Sequence, residues 1–195
     1  MSSLRKRLLT AAACLGVAAT ALLGGSASAG PKTDATSSLI GGTPPAELTP
    51  IKYFAGLWSC DTITYPFGQP PVKGKLTGYG TFALGGRWFV WVLNEHRSPQ
   101  NPDPTSSQWI WGWDAARQGF SAEWYDSKGL YNTQFSAGFN GNVLLFEGRN
   151  RLANGFSVPT RDKIIKTGQS TFTDEGTIEF GGQWVKVSDV SCRRA

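Results

Sequence analysis

The sequence predicts an all-β protein, a single up-and-down antiparallel β-barrel of about ten strands with a short N-terminal helix. Two observations predict this fold. Short segments rich in apolar and β-branched residues recur from residue 57 onward, with glycine-containing turn sequences between them. No segment between them is long or periodic enough to form the crossover helix that parallel strands need. Consecutive strands must therefore pair antiparallel, and closure removes exposed edges. A two-sheet sandwich is the alternative that this pattern allows.

The first 29 residues have the pattern of a secretory signal peptide and do not belong to the fold. They contain a basic start, an apolar stretch and a small-residue cleavage sequence, at residues 5–7, 8–23 and 27–29. The apolar stretch is too short for a membrane span, and no later segment approaches about 20 apolar residues. We therefore expect a secreted protein, cleaved near Ala29, without a membrane span. A lipid anchor at Cys14 is the alternative, although apolar residues continue beyond that cysteine.

The charge of the predicted mature chain is close to balanced. The chain has 19 basic and 14 acidic residues, and the signal segment holds three of the basic ones and none of the acidic ones, which leaves 16 against 14. So small an excess, without a long Lys/Arg cluster, argues against a nucleic-acid-binding surface. We expect no nucleic-acid partner, and the sequence does not indicate an oligomeric state.

Two cysteines remain after the predicted cleavage, Cys60 in the first strand and Cys192 in the last. In an oxidising compartment an even pair of cysteines indicates a disulfide rather than a metal or redox site. We predict a Cys60–Cys192 bridge, because the first and last strands are neighbours in a closed barrel. A free, catalytic cysteine is the rival interpretation. We expect no metal site.

The segment before the strands divides into a leader and a helix. Residues 30–45 are rich in Gly, Pro, Ser and Thr and predict a flexible leader, so the barrel domain is expected over residues 46–195. Thr49 provides an N-cap and Pro50 the first helical position, and residues 51–55 make one or two helical turns before a glycine. We expect this helix to plug one end of the barrel.

Ten strands are expected after the helix. Their predicted bounds are 57–65, 73–84, 87–96, 107–114, 118–126, 130–138, 142–149, 157–166, 169–180 and 183–192. Sequences typical of tight hairpin turns support the pattern. They are Asn140-Gly141, Ser127-Lys128-Gly129, Asp174-Glu175-Gly176 and Gly181-Gly182.

Five short motifs occur in order along the chain: Gly56-Leu57-Trp58, Leu84-Gly85-Gly86-Arg87-Trp88-Phe89-Val90, Gly112-Trp113-Asp114, Trp124-Tyr125-Asp126-Ser127 and Phe146-Glu147-Gly148. Together, over about residues 47–194, they resemble an uncharacterised bacterial family of calycin-like, lipocalin-type β-barrels. The resemblance implies a barrel with a cavity for a hydrophobic small molecule. In lipocalins a basic residue near the last strand packs over the Gly-x-Trp indole. The resemblance therefore implies that Gly56, Trp58 and Arg193, or its neighbour Arg194, close the barrel.

Calycins also include the haem-binding nitrobindins, whose site needs a histidine ligand from the late part of the barrel. The only histidine of this chain is His96, in an earlier part of the sequence. We therefore expect no haem and no other cofactor. Glu95, His96 and Arg97 are interpreted as a solvated strand end before a proline-rich loop.

Tryptophan is the main indication of a ligand site, with eight in the chain. Trp109, Trp111 and Trp113 recur with period two and therefore share one face of a strand. Facing inward, they would line a cavity that stacks flat or extended apolar ligands. Facing outward, they would form an adhesive patch, and in a third interpretation they fill the core around a smaller cavity. The expected ligand-binding residues are Trp88, Trp91, Trp109, Trp111, Trp113, Phe120 and Trp124.

Motifs of standard hydrolases and phosphate-binding loops are absent from the sequence. A cavity-type isomerase or cyclase remains open, because it needs only one acid or base near an apolar substrate. Its candidate groups are Glu95, His96 and Glu123. On the strand that carries Glu123, however, Phe120 and Trp124 are expected to point into the barrel and Glu123 to point out. The sequence favours a secreted barrel that carries a hydrophobic or aromatic small molecule over an isomerase or an interaction module with exposed tryptophans.

Overall fold

A computed structural model describes residues 43–195, so the predicted signal peptide, Cys14 and most of the leader lie outside the described residues. The described chain is one antiparallel sheet closed into a barrel of ten strands, with one additional two-residue strand and one short 3-10 helix. The elements are the helix Ala46–Phe54 and the strands β1 Gly56–Thr64, β2 Val72–Ala83, β3 Trp88–Glu95, β4 Ser106–Asp114, β5 Gly119–Asp126, β6 Tyr131–Ser136, β7 Phe139–Asn140, β8 Val143–Arg151, β9 Ser157–Lys166, β10 Thr171–Phe180 and β11 Gln183–Arg194.

The strand order is that of an up-and-down barrel. Neighbours in sequence are neighbours in the sheet, β1 pairs with β11, and β6 pairs with β8 to complete the ring. The short strand β7 pairs only with β8. The all-β barrel prediction is therefore confirmed, and the sandwich alternative is wrong. We call the end covered by the 3-10 helix the near end, and the end with the loop over residues 96–105 the far end.

The predicted strand bounds agree with the structure to within two residues at each end, but two turn predictions need correction. Asp174-Glu175-Gly176 is not a turn, because it lies inside β10, where the pairing with β11 shifts register after Gly176. A side chain at Gly176 would collide with the Ser188 hydroxyl, so the glycine marks a bulge in the sheet. The hairpin at Asn140-Gly141 is offset by one residue, since Asn140 still pairs with Val143.

The N-terminal helix also differs from its prediction. It begins at Ala46, four residues before Pro50, and contains that proline instead of starting with it. Leu48, Ile51 and Phe54 are its buried residues. Their spacing of three is the period of a 3-10 helix, in which every third side chain shares one face. This face packs on the near end of the barrel, and no helix in the described part is long and apolar enough to cross a membrane.

A disulfide joins Cys60 and Cys192, as predicted. The two residues are directly opposite in the β1–β11 pairing, with their Cα atoms 4.1 Å apart. The bridge spans a sequence separation of 132 residues. In the chain-entropy model a loop of this size stabilises the fold by about 4–5 kcal/mol. The bridge thus holds together the strands at which the chain's two ends meet, and it indicates an oxidising compartment.

Candidate functional site

The barrel encloses a cavity of about 70 Å³ near the middle of its length. Four of the residues that line it are tryptophans, and most of the others are leucine, valine and phenylalanine. Asp174 is the one charged residue among those that line it. The cavity is therefore a mainly apolar space with one carboxyl group at its wall.

Four of the seven residues expected to bind a ligand line this cavity, namely Trp91, Trp109, Trp111 and Trp124. Trp113 and Phe120 do not line it, because they pack edge-to-face against each other with ring centres 5.4 Å apart. The face that carries Trp109 and Trp111 points inward, and both are buried. Because the cavity is small, these rings also form the packed core. This agrees with the interpretation in which the tryptophans fill the core around a smaller cavity.

Trp88 corrects the expected set. Its side chain is 38% exposed and lies on the outer face of β3, while Trp91 is buried on the inner face. Residues three positions apart on a strand point to opposite sides, which is the reason for the error. Gly112, the residue opposite Trp88 on β4, leaves room for the outward indole because a side chain there would collide with it.

The near end is closed by Trp58 and the helix. Trp58 is fully buried, and its Nε1 donates a hydrogen bond of 2.9 Å to the Phe54 carbonyl. The basic residue over the indole is Arg194, whose guanidinium carbon lies 4.5 Å from the ring centre. Arg194 also donates to the carbonyls of Ala55 and Tyr53, at 2.6 and 2.7 Å. Of the two arginines that the resemblance implied, Arg194 and not Arg193 therefore takes this position, since neighbouring residues of a strand face opposite sides.

Two further side chains fasten the helix to the barrel. The Tyr53 hydroxyl lies 2.6 Å from the Thr171 carbonyl and 2.8 Å from that of Gly168. Lys166 donates to the Pro50 carbonyl at 3.2 Å and lies 4.0 Å from the centre of the Phe139 ring. Burial raises the pKa of Tyr53 and lowers the pKa of Lys166. These contacts make the near end a fixed plug.

The three candidate acid–base residues do not line the cavity. Glu95 accepts hydrogen bonds of 2.9 Å from Asn101 Nδ2 and from the Thr105 backbone, so its carboxylate holds the loop at the far end. His96 is exposed, and its Nε2 lies 2.8 Å from the Thr77 hydroxyl. Each of the two therefore has a local partner at the rim of the barrel.

Glu123 lies on the outer face of β5, as its alternation with Phe120 and Trp124 predicted. It accepts a hydrogen bond of 2.5 Å from the Tyr125 hydroxyl, which raises the pKa of Tyr125 to about 12. An isomerase built on Glu95, His96 or Glu123 therefore lacks an acid or base at the cavity.

The residues present do not fit a haem. Haem iron in proteins is held by an axial side chain such as histidine, cysteine thiolate, methionine or tyrosine. The residues that line the cavity include none of these in usable form, because its two cysteines, Cys60 and Cys192, form the disulfide. His96 lies outside it.

Two carboxyl groups that sequence reasoning missed lie against the interior. Asp162 accepts a hydrogen bond from Gln134 Nε2, and burial raises the pKa of Asp162 to about 6. Burial raises the pKa of Asp174 well above its ordinary value, and the nearby charge of Asp162 adds to the effect. Asp162 alternates along β9 with Thr160 and Ile164, which are both buried. This alternation was the sequence feature that could have indicated an inward-pointing Asp162.

Several buried polar atoms have no hydrogen-bond partner within the described chain. They are the indole nitrogens of Trp109 and Trp111 and side-chain oxygens of Asn132, Gln134, Asn150 and Asp174. Asn132 and Asn150 are opposite each other in the β6–β8 pairing. We define the polar wall as these four side chains on β6, β8 and β10 together with Asp162 on β9; it consists of Asn132, Gln134, Asn150, Asp162 and Asp174. Buried polar atoms ordinarily find a partner, so this wall is an unusual feature of the interior.

Comparisons with known proteins agree with the fold. No protein-family model matches the chain, and no curated protein matches it in sequence. The crystal structure of Rv2717c from M. tuberculosis is similar, with a TM-score of 0.60 over 78% of this chain and 99% of that chain. The fold is a calycin-like β-barrel. At 11% identity the likeness concerns the calycin-like fold alone, and it carries no activity or ligand over to this chain.

Proposed function

We propose that this protein is a secreted carrier or scavenger that binds a small, largely apolar molecule inside its barrel. The observation that supports it best is the cavity between Trp109, Trp124 and Leu93, where apolar walls meet buried polar atoms that lack partners. Ligand sites typically combine apolar and aromatic walls with a few polar groups in this way. Secretion rests on the predicted signal peptide, and the Cys60–Cys192 disulfide is consistent with it.

The cavity volume limits the size of the guest. At about 70 Å³ it is well below the range of roughly 300–1,000 Å³ in which drug-sized ligands bind. It is also smaller than an engineered cavity of about 150 Å³ that takes up benzene. A guest of a few heavy atoms therefore fits the packed barrel, whereas a larger aromatic guest requires the indoles to move.

The two other functions are less well supported. An isomerase based on the predicted candidates would need Glu95, His96 or Glu123 at the cavity. An interaction module would need Trp109 and Trp111 on the surface, but both are buried. We therefore put forward ligand carriage alone.

The proposal can be tested with neutral guests of increasing size, namely xenon, 1-propanol and benzene. Binding is followed by methyl and indole NMR shifts and by tryptophan fluorescence. We expect the smaller guests to shift the signals of Trp109 and Trp124. Native mass spectrometry of protein isolated from its own secretion medium should in addition show a retained small molecule.

A matched pair of variants locates the binding site. Leu93→Phe places a larger side chain at the cavity, while Val92→Phe places it on the opposite face of the same strand. We expect Leu93→Phe to weaken binding of 1-propanol about tenfold, a loss of about 1.4 kcal/mol. Val92→Phe should leave the affinity unchanged. If none of the three guests binds to the folded protein, or if both variants bind equally well, the proposed function is wrong.

A further inference from the structure

The polar wall contains two carboxyl groups without a countercharge. Asp162 on β9 lies opposite Gly176, and Asp174 on β10 lies opposite Ile164, so the two side chains occupy adjacent positions of the same wall. None of the ion pairs among the described residues involves either of them. A buried carboxylate without a cation is costly, and proteins ordinarily pair it.

The same wall has a surplus of hydrogen-bond acceptors. Unpartnered oxygens belong to Asn132 and Gln134, both 5% exposed, and also to Asn150 and Asp174. Gln134 Nε2 is the side-chain donor to Asp162, and Asp174 Oδ1 receives none. A complementary guest therefore brings N–H or O–H donors, preferably with a positive charge.

The rest of the cavity lining is apolar. Leu76, Leu93, Val190 and the indoles of Trp109 and Trp124 line it, and Asp174 is the one charged residue at its wall. A dehydrated inorganic cation such as Ca²⁺ needs six to eight oxygen ligands, and among the residues that line the cavity Asp174 alone offers side-chain oxygens. An alkyl chain can pack against these apolar side chains, and indole faces also attract an organic cation.

We infer that the guest carries a protonated primary amine, bound as an alkylammonium ion with its nitrogen at the carboxyl pair of Asp162 and Asp174 and its chain against the indoles. This assignment rests on the proposed function and specifies its ligand class. The ammonium group supplies three donors and the missing positive charge, and the alkyl part fills the apolar side of the cavity. A neutral guest would instead rely on the buried Trp109 N–H as a donor.

The test compares n-propylammonium chloride with 1-propanol, which has the same number of heavy atoms but no charge. Binding to the intact protein is measured by calorimetry and NMR at pH 7 and constant ionic strength. We expect the ammonium ion to bind about tenfold more tightly or better, because charge-assisted hydrogen bonds are the stronger ones. Asp174→Asn should remove this preference, so that propylammonium and 1-propanol bind to the variant with similar affinity. Asp61→Asn, at a carboxyl whose side chain is 77% exposed, is the matched control.

The pH dependence in the wild-type protein gives a readout that needs no variant. The charged groups acting on Asp174 are Asp162, Glu175 and Asp189, and Gln134 faces Asp162. Both carboxyl groups have raised pKa values, about 6 for Asp162, and they titrate as a pair, so propylammonium affinity should fall as the pH drops and the pair gains protons, whereas 1-propanol affinity should not. Both measurements use the folded protein, so a failure of Asp174→Asn to fold leaves them valid.

The outcomes separate this assignment from the proposed function. If 1-propanol binds as tightly as propylammonium, or if K⁺ or Ca²⁺ displaces propylammonium at millimolar concentration, the amine assignment is wrong and ligand carriage stands. If neither propylammonium nor any neutral guest binds, the proposed function itself is wrong. A preference for propylammonium that Asp61→Asn removes as fully as Asp174→Asn would also overturn the assignment.

Discussion

The near half of the barrel interior and the polar wall are built on opposite principles. The near half is filled by aromatic rings, among them Phe54, Trp58 and Trp111, which are fully buried and in contact with their neighbours. In the polar wall, by contrast, buried oxygens lack partners and two carboxyl groups lack a cation. Interiors are normally packed and satisfied like the near half.

This difference separates stability from binding. Tight packing of the near half and its hydrogen-bonded plug stabilise the barrel. The polar wall lowers the stability, because it keeps polar groups buried and incompletely bonded. Proteins commonly accept such a loss where a site must recognise a ligand. Substitutions in the near half and in the polar wall should therefore change stability in opposite directions.

The largest effect is expected from Phe54→Ala in the near half. Phe54 is fully buried and contacts the rings of Trp91, Trp111 and Phe172. Removal of its ring should lower the free energy of unfolding by about 3–5 kcal/mol, through lost burial and the cavity left behind. Urea denaturation measures this loss. Phe180→Ala, at a phenylalanine that is 57% exposed at the far end, should change it by less than about 1 kcal/mol.

The next effect, of opposite sign, is expected from Asp162→Asn in the polar wall. The ordinary pKa of an aspartate is 3.8, and burial raises the pKa of Asp162 to about 6 in the folded protein. The folded state therefore binds the proton more tightly than the unfolded state does. Stability should therefore be highest below pH 4 as far as this group is concerned, and should fall as pH rises from about 4 to 6.

Asp162→Asn removes this loss, since Gln134 can donate to the amide oxygen as it does to the carboxylate. The free energy of unfolding at pH 7 should rise by about 2–3 kcal/mol, and its slope between pH 4 and 6 should flatten. Thermal unfolding across this pH range is the measurement. A drop in stability at pH 7, with the slope retained, would contradict the account of the polar wall.

The smallest effect distinguishes the two neighbouring arginines at the near end. Arg194→Ala removes hydrogen bonds to the carbonyls of Ala55 and Tyr53 and the cation over Trp58, at a cost of about 1–2 kcal/mol. Arg193→Ala should have almost no effect. Equal losses for the two variants would show that the plug is held by charge in general rather than by these contacts.

The barrel, its strands and its disulfide were predictable because their signals are local. Alternation marks each strand, glycine marks most turns, and a closed meander places Cys60 beside Cys192. Errors arose where the signal had two meanings. Glycine at Gly176 marks a bulge rather than a turn, and Pro50 lies within a 3-10 helix rather than at the start of an α-helix.

The candidate site was predictable only in part. The cavity is lined by four of the expected residues, Trp91, Trp109, Trp111 and Trp124. Trp88, however, points outward, and Arg194 rather than Arg193 lies over the Trp58 indole. Strand periodicity shows which residues share a face, but it does not show which of the two faces is inside. Asp162 and Asp174 were missed because a carboxyl group in a strand ordinarily faces solvent. Nothing in their neighbours in sequence indicates that they lack a cation.

The amino-acid sequence by itself determined an antiparallel barrel with its ends joined by a disulfide, since alternation, turn residues and cysteine positions act over short stretches or through simple topology. Only the tertiary structure decided which face of each strand is inside, how little space the indoles leave, and that two aspartates meet on one wall without a counterion. Those properties depend on register and on packing between strands far apart in the chain, which no local pattern specifies.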